Sequence, residues 1–263
     1  MRRRLDVELV RRGLAPSRRR AAEAVAAGRV LVDGSVAATP SRQIAPAEAL
    51  HVTGDAPRYV SRGGEKLEAA LATFPVAVDG WRALDVGAST GGFTDCLLQH
   101  GAAHVVAVDV GQNQLAYALR TDPRVTVLEQ TDIRALEPGA VGGPFALCTA
   151  DLSFISVTKV APALVRNTTA AADLLVLVKP QFEVGRGRVP RGGVVRDPAV
   201  HEEVLVSVVD ILAGAGLPAA GVIPSPRRGA DGNVEFVVWC RKSGSAIPHD
   251  QLAAAVAAAE EPT

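Results

Sequence analysis

From residue 82 to residue 240, short apolar runs alternate with helical patterns, and this alternation restricts the possible folds more than any other feature of the chain. The runs at 82–86, 104–109, 124–128, 145–150, 173–178, 220–224 and 234–240 are rich in Val, Leu or Ala, and alanine-rich segments of helical period lie between most of them. Short, continuously apolar strands are buried on both faces, so the pattern predicts an α/β fold with a mostly parallel, doubly wound sheet under helices on both sides. A core of that kind takes roughly 200 residues, and a chain of 263 leaves room for a smaller module.

That module is expected at residues 1–53. Leu5, Glu8, Leu9 and Arg12 suggest a short helix ending at Gly13, and Ser17 suits the N-cap of a second helix that runs to Ala27. Asp33-Gly34 between Arg29-Val30-Leu31-Val32 and Ser35-Val36 reads as a tight hairpin turn. Gly54-Asp55-Ala56-Pro57 interrupts both periodicities, so 54–60 reads as a linker and the second domain as 61–263. The alanine-rich tail 252–260 is a terminal helix or a frayed end.

A net charge of zero hides a marked asymmetry: residues 1–29 hold nine arginines against Asp6, Glu8 and Glu23, a surplus of six that the rest of the chain cancels. Arginines 2–4, 11–12 and 18–20 are expected to form one basic surface of the kind that meets nucleic acid, with Arg2, Arg3, Arg4, Arg18 and Arg20 as the candidate contacts; the alternative is a solvated face. Cys96, Cys148 and Cys240 are far apart in apolar settings, which argues against disulfides and zinc and for a reduced cytoplasm. No apolar run is long enough to span a membrane, so neither a membrane nor a metal is expected.

The first strand-to-helix turn of such a sheet usually holds a ligand. Here it reads Gly87-Ala88-Ser89-Thr90-Gly91-Gly92, which is neither Gly-x-Gly-x-x-Gly nor a triphosphate loop. Asp109 ends the next strand, where a carboxylate can accept two ribose hydroxyls, and Asp132 ends the third strand region, within reach of an adenine amino group. A glycine loop, a ribose acceptor and an adenine partner, with no phosphate-specific group, point to S-adenosylmethionine. Gly87, Ala88, Ser89, Thr90 and Gly91, with Asp109 and Asp132, are the expected cofactor site.

The fourth strand ends in Ala150-Asp151-Leu152-Ser153-Phe154, without the prolines typical of base-amino methylation, and Cys148 sits inside the strand as core. Lys179 ends another apolar strand, Glu235 interrupts the last, and Lys66 lies at the domain entrance. Two carboxylates and two lysines suit a hydroxyl nucleophile: a lysine near a second lysine can act as base, with the acids orienting the pair. The alternative is a buried ion-pair network without chemistry. Phe154 either stacks on an unpaired base or packs in the core.

Several of these motifs together are similar to the TlyA family of ribosomal RNA 2′-O-methyltransferases: Ser-Arg-Gly-Gly-Glu-Lys-Leu at 61–67, Asp-Val-Gly-Ala-Ser-Thr-Gly-Gly-Phe-Thr-Asp at 85–95, Ala-Asp-Leu-Ser-Phe-Ile-Ser at 150–156 and Leu-Val-Lys-Pro-Gln-Phe-Glu-Val-Gly at 177–185. Gly192-Gly193-Val194-Val195-Arg196-Asp197 and Gly232-Asn233-Val234-Glu235 extend the match over nearly the whole chain. The resemblance implies an S4-type RNA-binding domain joined to an FtsJ-like methyltransferase domain with a Rossmann-like class I sheet. It implies a catalytic tetrad at Lys66, Asp151, Lys179 and Glu235, and cytidines of 16S and 23S ribosomal RNA, within 30S or 50S subunits, as substrates. It also implies a link to capreomycin susceptibility. One departure is Pro57-Arg58-Tyr59-Val60 where the family's linker can carry Arg-x-Trp-Val, so a coupling that depends on that tryptophan is not carried over. A non-catalytic RNA-binding protein, a membrane-active haemolysin and a pseudouridine synthase are the competing readings.

Overall fold

The computed structural model describes residues 2–15, 17–54, 57–185 and 187–260. The chain divides into two compact units, Met1–Arg58 and Tyr59–Thr263. In the first, β1 (Arg3–Arg4) leads into α1 (Leu5–Arg11), followed by α2 (Arg18–Ala26), β2 (Val30–Val32), β3 (Ser35–Val36), β4 (Gln43–Ile44) and β5 (Leu50–Val52). Ser17 caps α2 as expected, its hydroxyl accepting from Arg20 N at 3.2 Å. Asp33 and Gly34 both take positive φ (49° and 82°), the combination that a two-residue hairpin turn requires. β3, β2 and β5 form one small sheet, β1 and β4 another, and Leu5, Leu9, Val25, Val30 and Ile44 fill the core between helices and strands.

The second unit follows with α3 (Gly63–Thr73), β6 (Arg82–Val86), α4 (Gly92–Gln99), β7 (His104–Val108), α5 (Tyr117–Arg120), β8 (Val125–Leu128), β9 (Phe145–Ala150), α6 (Ala161–Asn167), β10 (Thr168–Val178), α7 (Pro180–Glu183), α8 (Pro198–Gly214), β11 (Ala219–Pro224), β12 (Phe236–Arg241) and α9 (His249–Glu260). The seven strands lie in the order β11-β12-β10-β9-β6-β7-β8. β12 alone runs against its neighbours; β8, β7, β6, β9 and β10 are parallel. Strand side chains alternate between two layers. Leu84, Val86, Leu174, Val176, Phe236 and Val238 face one core, and Ala83, Leu175, Leu177, Val237 and Trp239 face the other. β10 is longer than the expected 173–178 because it starts at Thr168 and absorbs a register shift before Asp173.

The expected linker over 54–60 extends too far. Tyr59 is buried in the second unit, packed so closely on Gly64 that a Cβ there would lie 2.2 Å from the tyrosine Cγ, and Val60 N donates to Asp95 Oδ2 at 2.8 Å. Residues 55 and 56 lie outside the described residues. Among the described residues, no helix is long and apolar enough to cross a membrane, and no cluster of His, Cys, Asp or Glu is arranged to hold a metal ion.

Candidate active site

β6 delivers the chain to the glycine loop. Gly87 adopts φ +82°, and a Cβ on it would stand 2.4 Å from the carbonyl oxygen of Asp151, so only glycine lets the two strand-end loops pass this closely. Gly91 caps α4 in a left-handed conformation at φ +97°. Gly87 N and Ala88 N both donate to Val108 O, which ties the loop to the end of β7. Asp109 completes the tie: Ser89 N donates to one carboxylate oxygen and Gly111 N to the other, each at 2.7 Å.

A cavity of about 450 Å³ opens over these strand ends, a size typical of small-ligand sites. Gly87, Ser89, Asp109, Asp132, Asp151 and Phe154 line it; Ala88, Thr90 and Gly91 lie outside its lining and shape the turn instead. Asp132 is engaged by Arg134, whose backbone N–H and guanidinium both donate to it, and this holds the carboxyl below its usual range. Glu129, which sequence reasoning missed, accepts from three successive backbone amides at Asn113, Gln114 and Leu115 and from Arg120. The Arg120 guanidinium, followed by those amides, holds its carboxyl down to about 2. Asp85 was also missed: it is fully buried, accepts from Thr94 Oγ1 (2.6 Å) and Thr149 Oγ1 (2.9 Å), and is pushed up to about 6, chiefly by burial.

The four tetrad candidates form two ion pairs, and Asp151 of one pair lines this cavity. Lys179 Nζ lies 2.5 Å from Asp151 Oδ1 and donates to Ser153 Oγ at 3.0 Å; Lys66 Nζ donates to Glu235 Oε2. The sheet register accounts for the placement. Ala150 pairs with Val176 and Val178 with Phe236, so Asp151, Lys179 and Glu235 emerge from three adjacent strands at the same end of the sheet. Lys66, Lys179 and Glu235 are almost wholly buried, and pairing each charge is what makes such burial tolerable. α3 brings Lys66 in, and an Arg227–Glu65 ion pair ties the same helix to the loop that precedes Glu235. Ser153 is the contact that the sequence reading passed over, although it lies inside a quoted motif.

Phe154 is not core. It is 91% exposed, holds φ +65°, unusual for a bulky residue, and lies 5.3 Å from the ring of Phe182. Glu183 secures the same loop by accepting from Val157 N at 2.9 Å.

In the first unit the arginines do not stand as a field of unpaired cations. Asp6 binds Arg4 and Arg18, Glu8 binds Arg11 and Arg12, and Glu23 binds Arg20, with Arg19 3.8 Å away. Both Asp6 and Glu8 are buried and held down to about 2, first of all by Arg4 and by Arg11. Arg2 and Arg3 are exposed. The three acids subtracted in the charge count therefore act as partners of these cations.

Comparison with known proteins agrees with this division. Residues 59–242 match the family described as FtsJ-like methyltransferase, and residues 3–49 match the S4 domain. The 16S/23S rRNA (cytidine-2′-O)-methyltransferase TlyA of Mycobacterium tuberculosis is 53% identical over 239 residues, covering 90% of this chain and 89% of the relative. Hemolysin A of Brachyspira hyodysenteriae is 38% identical over 235 residues, covering 89% and 98%. A hemolysin-named protein from Streptococcus thermophilus has a solved structure that superposes with a TM-score of 0.78 at 40% identity, over 98% of this chain and 95% of that one. The two domain matches and a 53% identical relative spanning both units place the chain in one family: it belongs to the TlyA family of methyltransferases, in which an S4 domain precedes an FtsJ-like domain.

Proposed function

We propose that this enzyme methylates the 2′-oxygen of a cytidine ribose in ribosomal RNA, in the 16S molecule, the 23S molecule or both, with S-adenosylmethionine as donor. The observation that carries the reading is the Lys179–Asp151 pair with Ser153, set at a strand end where Asp151 and Ser153 line the cavity over the glycine loop. The cavity suits the donor: Gly87 and Ser89 line it from the loop, Asp109 offers acceptors for ribose hydroxyls, and Asp132 does so for an adenine amino group. Ala88, Thr90 and Gly91 fix the loop that Ser89 and Gly87 present. When bound, the donor supplies an electrophilic methyl group on a sulfonium centre.

A ribose hydroxyl is too weak an acid to attack unaided, so its proton has to leave as the new C–O bond forms. Lys179 Nζ takes that proton. It does so as the neutral amine, and Asp151 and Ser153 fix its direction and face the ammonium that results, while Lys66 paired with Glu235 completes the tetrad. Phe154 stacks on the base of the target nucleotide, a contact of the kind worth roughly 1–3 kcal/mol. Arg2, Arg3, Arg4, Arg18 and Arg20 dock the RNA backbone. Such a substrate implies work in the cytoplasm.

The test is transfer of labelled methyl to unmodified 30S and 50S subunits by the wild-type protein and by Lys179→Ala. Ribose methylation leaves the label in alkali-resistant dinucleotides, and the substitution should abolish it while cofactor binding persists. Label in alkali-labile nucleotides, or full activity in Lys179→Ala, would overturn the assignment.

A further inference from the structure

Asp6 is an acid in the middle of what is read above as an anion-binding surface, and its surroundings explain its presence. Its side chain is only 6% exposed, yet it accepts from Arg4 Nε and Nη2 (both 3.0 Å), Arg18 Nη2 (3.1 Å) and Val7 N (2.9 Å). The two arginines are 45% and 61% exposed. A buried anion thus joins two outward cations that come from different elements, β1 and the first turn of α2. Without it, two guanidinia this close would repel each other and sample many rotamers.

Glu8 shows the contrast. It also holds two arginines, but Arg12 gives two further donors to Glu48 O and Pro46 O and so fastens the chain. A guanidinium has five N–H groups in a planar fork. Asp6 takes two of those of Arg4 and one of those of Arg18.

We infer that Asp6 is the positioning residue of a phosphate clamp, holding Arg4 and Arg18 at a fixed separation so that both forks meet one stretch of RNA backbone. The fork geometry matches phosphate oxygens. This inference rests on the RNA-docking reading above and adds to it a requirement for a negative charge beneath the docking surface.

The sign of one measurement separates positioning from simple electrostatics. Asp6→Asn makes the protein more positive, so charge alone predicts tighter binding to RNA. Positioning predicts the reverse: in the full-length protein, affinity for in vitro transcribed 16S and 23S ribosomal RNA should fall about tenfold, in the range of couplings within one ion-pair network. A second experiment leaves Asp6 in place, in case its substitution disturbs folding. In a cycle of Arg4→Ala, Arg18→Ala and the double variant, either single change should weaken binding nearly as much as both. Unchanged or tighter binding by a folded Asp6→Asn, or strictly additive arginine effects, would overturn the clamp. Wild-type affinity that is insensitive to salt would overturn the docking reading and the clamp with it.

Discussion

Asp85 carries its carboxylate in a site with no solvent exposure, and the pH at which this matters follows from the direction of its shift. A folded pKa of about 6 against an ordinary 3.8 means that the native state binds the proton more tightly than the unfolded chain. The resulting stabilisation is fully present below about pH 4 and is lost as the pH rises to 6. Asp85→Asn removes the titration, so between pH 4 and pH 7 the variant should gain on the wild type by up to about 3 kcal/mol. Urea unfolding at a series of pH values checks this. A constant difference would mean that Thr94 and Thr149 stabilise the ionised form in full. The fully buried position, under the loop that lines the cavity, explains why an acid here was hard to recognise from residue type alone.

At the scale of elements, α8 is the longest helix described and its start depends on one side chain: Asp197 accepts from Ala199 N at 2.9 Å, with Pro198 in the first turn. Asp197→Ala should lower stability by about 1 kcal/mol and the melting temperature by a few degrees, with the methyltransferase reaction otherwise intact; calorimetry measures it. The strands and helices were legible because their periodicities are local, and so was the hairpin turn at Asp33-Gly34, whose two positive φ angles suit few residue pairs. Pairings distant in sequence were not. Nothing local says that Lys66 finds Glu235 across 169 positions while Lys179 takes Asp151, or that Asp6 and Glu8 lie beneath the arginines they were counted against. The linker expected over 54–60 overruns Arg58 because Pro57 masks the start of the next unit, whereas Tyr59 is held by Gly64, five residues on.

For the whole molecule, the division into two units predicts that RNA affinity and cofactor affinity can be changed separately. If the first unit's arginines neutralise several phosphates, the logarithm of RNA affinity should fall against log salt with a slope of roughly −4 to −5. Replacing Arg4, Arg18 and Arg20 by Ala should make that slope shallower by about 3 and leave S-adenosylmethionine binding unchanged, because the cavity is lined wholly by residues of the second unit. Filter binding across salt concentrations, with calorimetry for the cofactor, tests both. Within the second unit, the reversed direction of β12 links core packing to the placement of Glu235. Asp151 and Lys179 follow their strands, but Glu235 precedes its own, so its position is set by how β12 is registered against β10. A slip of one residue would exchange Phe236, Val238 and Cys240 with Val237 and Trp239 between the two apolar layers and draw Glu235 away from Lys66. The two hydrophobic layers thus act as a detent on Glu235, the acid of the proposed tetrad, and insertions in the 225–235 connection can be accommodated only where they leave that detent engaged.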